Sequence, residues 1–127
     1  MLKNLIITCF LGMLAIVLGA FGTHALKETL TPNQLLSFET AVRYQMYHVI
    51  VLLFVNIYDG FSSKQKNTVS YLFFVGILLF SGSIYLIQLT SISAKSIWFV
   101  TPLGGLTLIV GWLLMITIFV KKLQKNK

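Results

Sequence analysis

The stretch VSYLFFVGILLFSGSIYLIQL, residues 69–89, contains no charged side chain and no proline. A helix needs about 20 mostly apolar residues to cross roughly 30 Å of hydrocarbon, and this run is long enough. It does not alternate polar with apolar residues as a membrane β-barrel strand must. Amides inside lipid have to bond within their own segment, so the stretch reads as a transmembrane helix.

Three further runs flank it. Leu5 to Phe21 carries no charge and gives a short first span at about 5–22. A second, at about 41–58, is less clean because it holds Arg43, Gln45, His48 and Asn56. A fourth covers about 97–120. Composition agrees with four spans: 57% of the residues are hydrophobic, only 10% are charged, and mean hydropathy is +0.87. A soluble domain carries about a quarter charged residues to meet water. The expected fold is all-α, an integral membrane four-helix bundle forming one domain over residues 1–127.

Ten Lys/Arg against three Asp/Glu give a net charge of +7. No polar segment is long enough to build a nucleic-acid-binding face, so the basic residues are read as orienting the chain in its membrane. With the N-terminus inside, inner segments hold Lys3, Lys64, Lys66, Lys121, Lys122, Lys125 and Lys127. The outer ones hold Lys27, Arg43 and Lys95. This bias predicts that both termini are cytoplasmic; the expected location is the plasma membrane. Trp98 fits an aromatic belt at the outer interface. Lys3 before an apolar run, with Ala20-Phe21-Gly22 beyond it, also has the look of a secretory start. Three more spans follow, so the expectation is an uncleaved first helix. The single cysteine, Cys9, excludes an intramolecular disulfide.

Between the first two spans, Thr31-Pro32-Asn33-Gln34 has the residues of a capping box with proline at the first helical position. Leu35, Phe38 and Val42 follow at helical spacing. The pattern predicts a short amphipathic helix at the outer surface, running with or without a bend into the second span. Pro102 falls early in the fourth span, where a missing amide costs little.

Helices in lipid associate through close packing of small residues. Gly12, Ala15, Gly19 and Gly22 line one face of the first span, Gly82 sits in the third, and Gly104 and Gly111 lie seven apart in the fourth. These glycines are read as packing seams, with a homodimer face as the alternative. Gly19-Ala20-Phe21-Gly22 lacks both the third glycine and the preceding strand of a dinucleotide fingerprint.

One polar cluster stands out. His24 follows the first span, Arg43, Tyr44, Gln45, Tyr47 and His48 open the second, and Tyr85 with Gln88 lies near the same end of the third. Ser81, Tyr85 and Gln88 share a face, and Gln45, His48, Leu52 and Asn56 form a stripe running inward. Two readings stand. In one, the groups are interfacial anchors and interhelical hydrogen bonds, with Arg43 paired to Glu39. In the other they are a ligand site, since ionisable groups within membrane segments are often functional. Two histidines with Glu28 or Glu39 could bind a metal, or hold haem axially, but neither has a diagnostic spacing. No cofactor or metal is expected. No triad, paired carboxylates or HExxH run appears, and Asp59 sits at a helix end, so the chain is not expected to be an enzyme.

Gly19-Ala20-Phe21-Gly22-Thr23-His24-Ala25-Leu26 and Phe38-Glu39-Thr40-Ala41-Val42-Arg43-Tyr44-Gln45-Met46-Tyr47-His48 strongly resemble the small bacterial membrane proteins of the domain-of-unknown-function 423 family, the YgdD/YwdK-like group. Leu79-Phe80-Ser81-Gly82-Ser83-Ile84-Tyr85, Thr101-Pro102-Leu103-Gly104-Gly105 and Gly111-Trp112 also match, with Thr23 where many relatives carry alanine. Eukaryotic transmembrane-protein-256-like proteins look similar. The resemblance implies a four-helix inner-membrane protein without an established activity. It highlights His24, Arg43, Tyr44, Gln45 and His48. The expectation is a non-enzymatic scaffold, stabiliser or regulator of a membrane partner, in contact with the bilayer and open to homo-oligomerisation. The alternative is a small-molecule or ion-binding transport protein that uses the His/Arg/Tyr cluster.

Overall fold

The computed structural model describes residues 2–125, apart from the side chain of Thr23. Lys127 of the basic tail therefore lies outside the described residues. Four helices follow one another: α1 Leu2–His24, α2 Pro32–Ile57, α3 Ser63–Leu89 and α4 Val100–Lys125. All four are long and apolar enough to cross a membrane. Among the described residues there is no strand. Neighbouring helices run antiparallel, so the bundle has a terminal end, with the α2–α3 turn beside both chain ends. The opposite, connection end holds the α1–α2 and α3–α4 links.

Local chemistry sets the helix starts. Thr31 caps α2: its Oγ1 accepts from the Gln34 amide, while Gln34 Oε1 accepts from Thr31 N at 2.9 Å. Pro32 then takes the first helical position, where its missing N–H has no partner to lose. Ser62 and Gln65 build a second capping box on α3. Each cap contributes about 1 kcal/mol.

The short amphipathic helix expected before the second span forms the first turns of α2, and no break separates the two. Neither glycine nor proline interrupts residues 33–57, and Phe38, Ala41, Gln45 and His48 share one buried face. The α1–α2 link itself contains only a 3-10 turn, Leu26–Glu28.

Packing is uneven. Leu52 and Val55 of α2, Phe73 and Ile77 of α3, and Leu108, Met115 and Ile118 of α4 belong to one core. Helix α1 lies mainly along α2. The α3–α4 seam is the tighter one. A Cβ on Gly104 would strike the α3 backbone, 2.7 Å from both Leu79 C and Phe80 Cα, and one on Gly111 would lie 2.8 Å from the Phe73 ring. In the α1–α2 seam, a Cβ on Gly12 or Gly19 would lie 3.2 or 3.4 Å from a Val49 or Val42 methyl, and one on Gly22 would lie 2.8 Å from the Phe38 ring.

Gly82 departs from its expected packing role. A Cβ there would meet only Leu78 of its own helix, at 3.7 Å. It lines shallow apolar grooves instead of a seam. Residues such as Phe10, Ile16, Leu78, Leu106 and Leu113 are exposed around the helices. Facing lipid, they incur no penalty.

A polar layer at the middle of the bundle

Helix α2 begins at Pro32, about nine residues before the span start read from hydropathy, and this moves its polar side chains inward. Gln45 is buried; its Nε2 donates to the Leu11 carbonyl at 2.7 Å, and its Oε1 accepts from Tyr85 Oη at 2.8 Å. Leu11 stands thirteen residues from His24 on α1, roughly 20 Å along the axis. Gln45 and Leu11 therefore lie at mid-bundle, and Tyr85 reaches Gln45 from four residues before the end of α3. A carboxamide placed there has to be hydrogen-bonded, since no water is present to compensate it. One side chain meets this need by joining α1, α2 and α3.

His48, one turn on, performs the same function toward α4. Its Nδ1 lies 2.7 Å from the Tyr44 carbonyl, and its Nε2 lies 3.2 Å from Trp112 Nε1. A carbonyl only accepts and an indole N–H only donates. The imidazole is thus held as the Nδ1–H tautomer, with its Nε2 lone pair committed to Trp112. The rings of Phe73 and Trp112 enclose it, with centroids at 5.3 and 6.2 Å. In this arrangement neither nitrogen is left for a metal or a haem iron. Among the described residues no group of three His, Cys, Asp or Glu side chains could hold a metal ion.

The other expected members are dispersed. His24 is exposed at the end of α1, far from His48. Arg43 is exposed and donates to Thr40 Oγ1 at 3.1 Å; among the described residues it forms no ion pair with Glu39, although both line one shallow groove. The reason is local: Thr40, three residues before Arg43, offers a closer acceptor on the same helix face. Tyr44 contributes its carbonyl to His48 and packs its half-exposed ring on Phe80 at 5.1 Å, while Tyr47 is exposed. On α3, Ser81 donates to the Ala41 carbonyl at 2.7 Å, so the stripe through Ser81 and Tyr85 does face α2. Gln88, in the same stripe, leaves its buried Oε1 without a partner among the described residues.

A second polar layer, near the terminal end, was not foreseen. Asn56 donates to Ser70 Oγ at 2.8 Å and accepts from Asn4 at 3.1 Å, and Asn4 also donates to Asn67. Lys66, counted in the sequence among the charges of the inner segments, is buried, and its Nζ reaches the Asn56 carbonyl at 3.0 Å. That carbonyl lies in the last turn of α2, where an ammonium complements the negative helix end. The signal was present: Lys66, Ser70 and Phe73 recur at i, i+4 and i+7, which places the lysine on the core face. Trp112 left less trace, since an indole in an apolar helix reads as lipid-facing until its partner is known.

The family model described as "Protein of unknown function (DUF423)" matches residues 18–105. The chain is 44% identical over 105 residues to UPF0382 membrane protein SSP2132 of Staphylococcus saprophyticus, covering 83% of this chain and 86% of that one. It is 40% identical over 105 residues to UPF0382 membrane protein SAB0533 of Staphylococcus aureus, 83% and 84% of the two chains. UPF0382 membrane protein YwdK of Bacillus subtilis is 39% identical over 114 residues, 88% of this chain and 91% of that one. No solved structure matches the chain.

Proposed function

The chain belongs to the DUF423 family of membrane proteins, and on that premise we propose that it is a non-enzymatic scaffold that stabilises or regulates a membrane partner. The observation that carries this reading is the use made of the mid-bundle polar groups. Gln45, Tyr85, Trp112 and the Nε2 of His48 spend their polar atoms on bonds between helices, while His48 Nδ1 is taken by the Tyr44 carbonyl of its own helix. Such bonds lock one arrangement of the helices, each contributing on the order of 0.6 kcal/mol and up to about 1.7. A locked bundle presents a constant surface, which is what a scaffold needs.

On this reading the protein resides in the plasma membrane with both termini cytoplasmic. The support is charge: Lys3, Lys64, Lys66, Lys121, Lys122 and Lys125 belong to the terminal end, and Lys27 and Lys95 to the connection end. A transport or small-molecule role draws some support from an apolar groove of about 250 Å³ between α1 and α3, lined in part by Gln45 and Tyr85. Those two polar side chains bond to each other there, which favours the scaffold.

The test compares wild type with His48→Ala and Gln45→Leu for melting in detergent and for proteins co-purified from native membranes. The scaffold reading expects lower stability and parallel loss of a co-purified membrane protein. It is abandoned if the variants keep wild-type stability yet lose stabilisation by a small molecule or ion. Orientation is read by labelling Lys125→Cys in a Cys9→Ser background, needed because Cys9 is exposed; labelling from outside intact cells would reverse the assignment.

A further inference from the structure

The lysines of the terminal end are not equivalent. Lys66 is engaged with the Asn56 carbonyl, and Lys122 lies over the rings of Tyr58 and Phe61, 5.6 and 5.9 Å from their centroids. Lys64 and Lys121 instead flank a groove of about 230 Å³ between the start of α3 and the end of α4. Neither ammonium has an ion-pair or hydrogen-bond partner among the described residues. Of the three acids, Glu28 and Glu39 belong to the other end, and Asp59 lies in the α2–α3 turn.

We propose that this groove binds the phosphate headgroup of an anionic phospholipid, with Lys64 and Lys121 as its two cationic walls. Three features select that ligand. The first is charge: two ammoniums without counterions sit at the end of two spans, the level where lipid phosphates lie. The second is polarity graded along the groove. Lys64, Gln65 and Lys121 stand nearer the terminal end, whereas Leu114 and Ile118 continue toward mid-bundle. A free anion would use only the first part; a phospholipid uses both, placing its acyl chain on the apolar part. The third is the donor inventory. Gln65 spends its Oε1 on the Ser62 amide and keeps its N–H2 group for an acceptor, while Thr68 and Thr117 donate to their own helices and offer only lone pairs. Phosphate oxygens suit the first, and headgroup hydroxyls such as those of phosphatidylglycerol suit the second. The positive end of α3 adds to the attraction, and Lys121, Lys122 and Lys125 offset the negative end of α4. The site depends only on the helices lying in lipid; it stands whether or not the protein is a scaffold and whichever way the chain is oriented.

The experiment titrates purified full-length protein in neutral detergent with phosphatidylglycerol, with phosphatidylcholine of the same acyl chains, and with inorganic phosphate. The readouts are the melting midpoint and bound lipid seen by native mass spectrometry. Phosphatidylglycerol should raise the midpoint and remain bound, and the other two should not. The double variant Lys64→Gln/Lys121→Gln should bind it roughly thirtyfold more weakly. Lys3→Gln/Lys125→Gln, which removes the same charge at the same end but outside the groove, should retain binding. Thr117→Trp, which fills the exposed groove and keeps both lysines, should lose it. Equal response to phosphatidylcholine, equal loss in the control pair, or full stabilisation by phosphate alone would each overturn the assignment.

Discussion

The two glycine seams of this bundle look alike on paper and differ in kind. In α3–α4, Gly76, Gly104 and Gly111 each receive something from the other helix: the Leu108 side chain, the backbone at Leu79 and Phe80, and the Phe73 ring. In α1–α2 only Gly22 is filled in this way, by the Phe38 ring, and no backbone is met; a Cβ at Gly12 or Gly19 would meet valine methyls at slightly tight or ordinary distances. Helix α1 is held in addition by hydrogen bonds, through Gln45 to the Leu11 carbonyl and through Asn4 to Asn56. Where backbones interlock, dispersion contacts along the seam suffice; where they do not, polar side chains hold the helices together.

The largest effect that would break this comparison is steric. Gly104→Val should cost about 3 kcal/mol or more, because the obstacle is backbone and cannot rotate away, and Gly19→Val should cost only about 1 kcal/mol. Detergent melting midpoints check both, and equal costs would erase the distinction between seams. Next, a double-mutant cycle of His48→Ala with Trp112→Phe should return a coupling of roughly 0.5–2 kcal/mol, since each side chain is the other's partner; additive costs would mean the bond contributes nothing.

Gln45→Leu should cost about 1 kcal/mol in melting, and its effect should be localised. Amide exchange of α1 should accelerate while that of α3 and α4 holds, because α1 loses a clip that the other seam does not need. Uniform acceleration would show that the bundle opens as one unit. The smallest effect is expected at Gly82→Ala, which should be neutral or stabilise by up to about 1 kcal/mol through helix propensity. A loss there would reveal that the grooved face of α3 packs against a second copy.

Much of the architecture could be read from residue order. Four apolar runs of sufficient length lie between polar links, and Thr31 to Gln34 marked the cap of α2. Depth was misjudged, because hydropathy dates a span from its first unbroken apolar run. Residues 32–40 are amphipathic, so α2 seemed to start near Ala41 and the Gln45–His48 segment seemed interfacial. The capped helix runs through, and those side chains fall at mid-bundle. Arg43 and Glu39 show the complementary error: spacing permits the pair, but Thr40 offers the guanidinium an acceptor on the same helix. Lys66 shows that a charge at a helix start can be a buried cap as well as a loop charge.

The order of residues alone fixed the solvent, the helical class and the count of spans, because lipid forbids unpaired backbone amides and that constraint acts on every segment separately. Which side chains meet was decided only in the assembled bundle. Trp112 becomes the donor to His48, and Lys64 and Lys121 come to flank one groove, because α3 and α4 pack in a register set by glycines seven residues apart. Such contacts depend on helix depth and rotation, and neither is encoded within any one span.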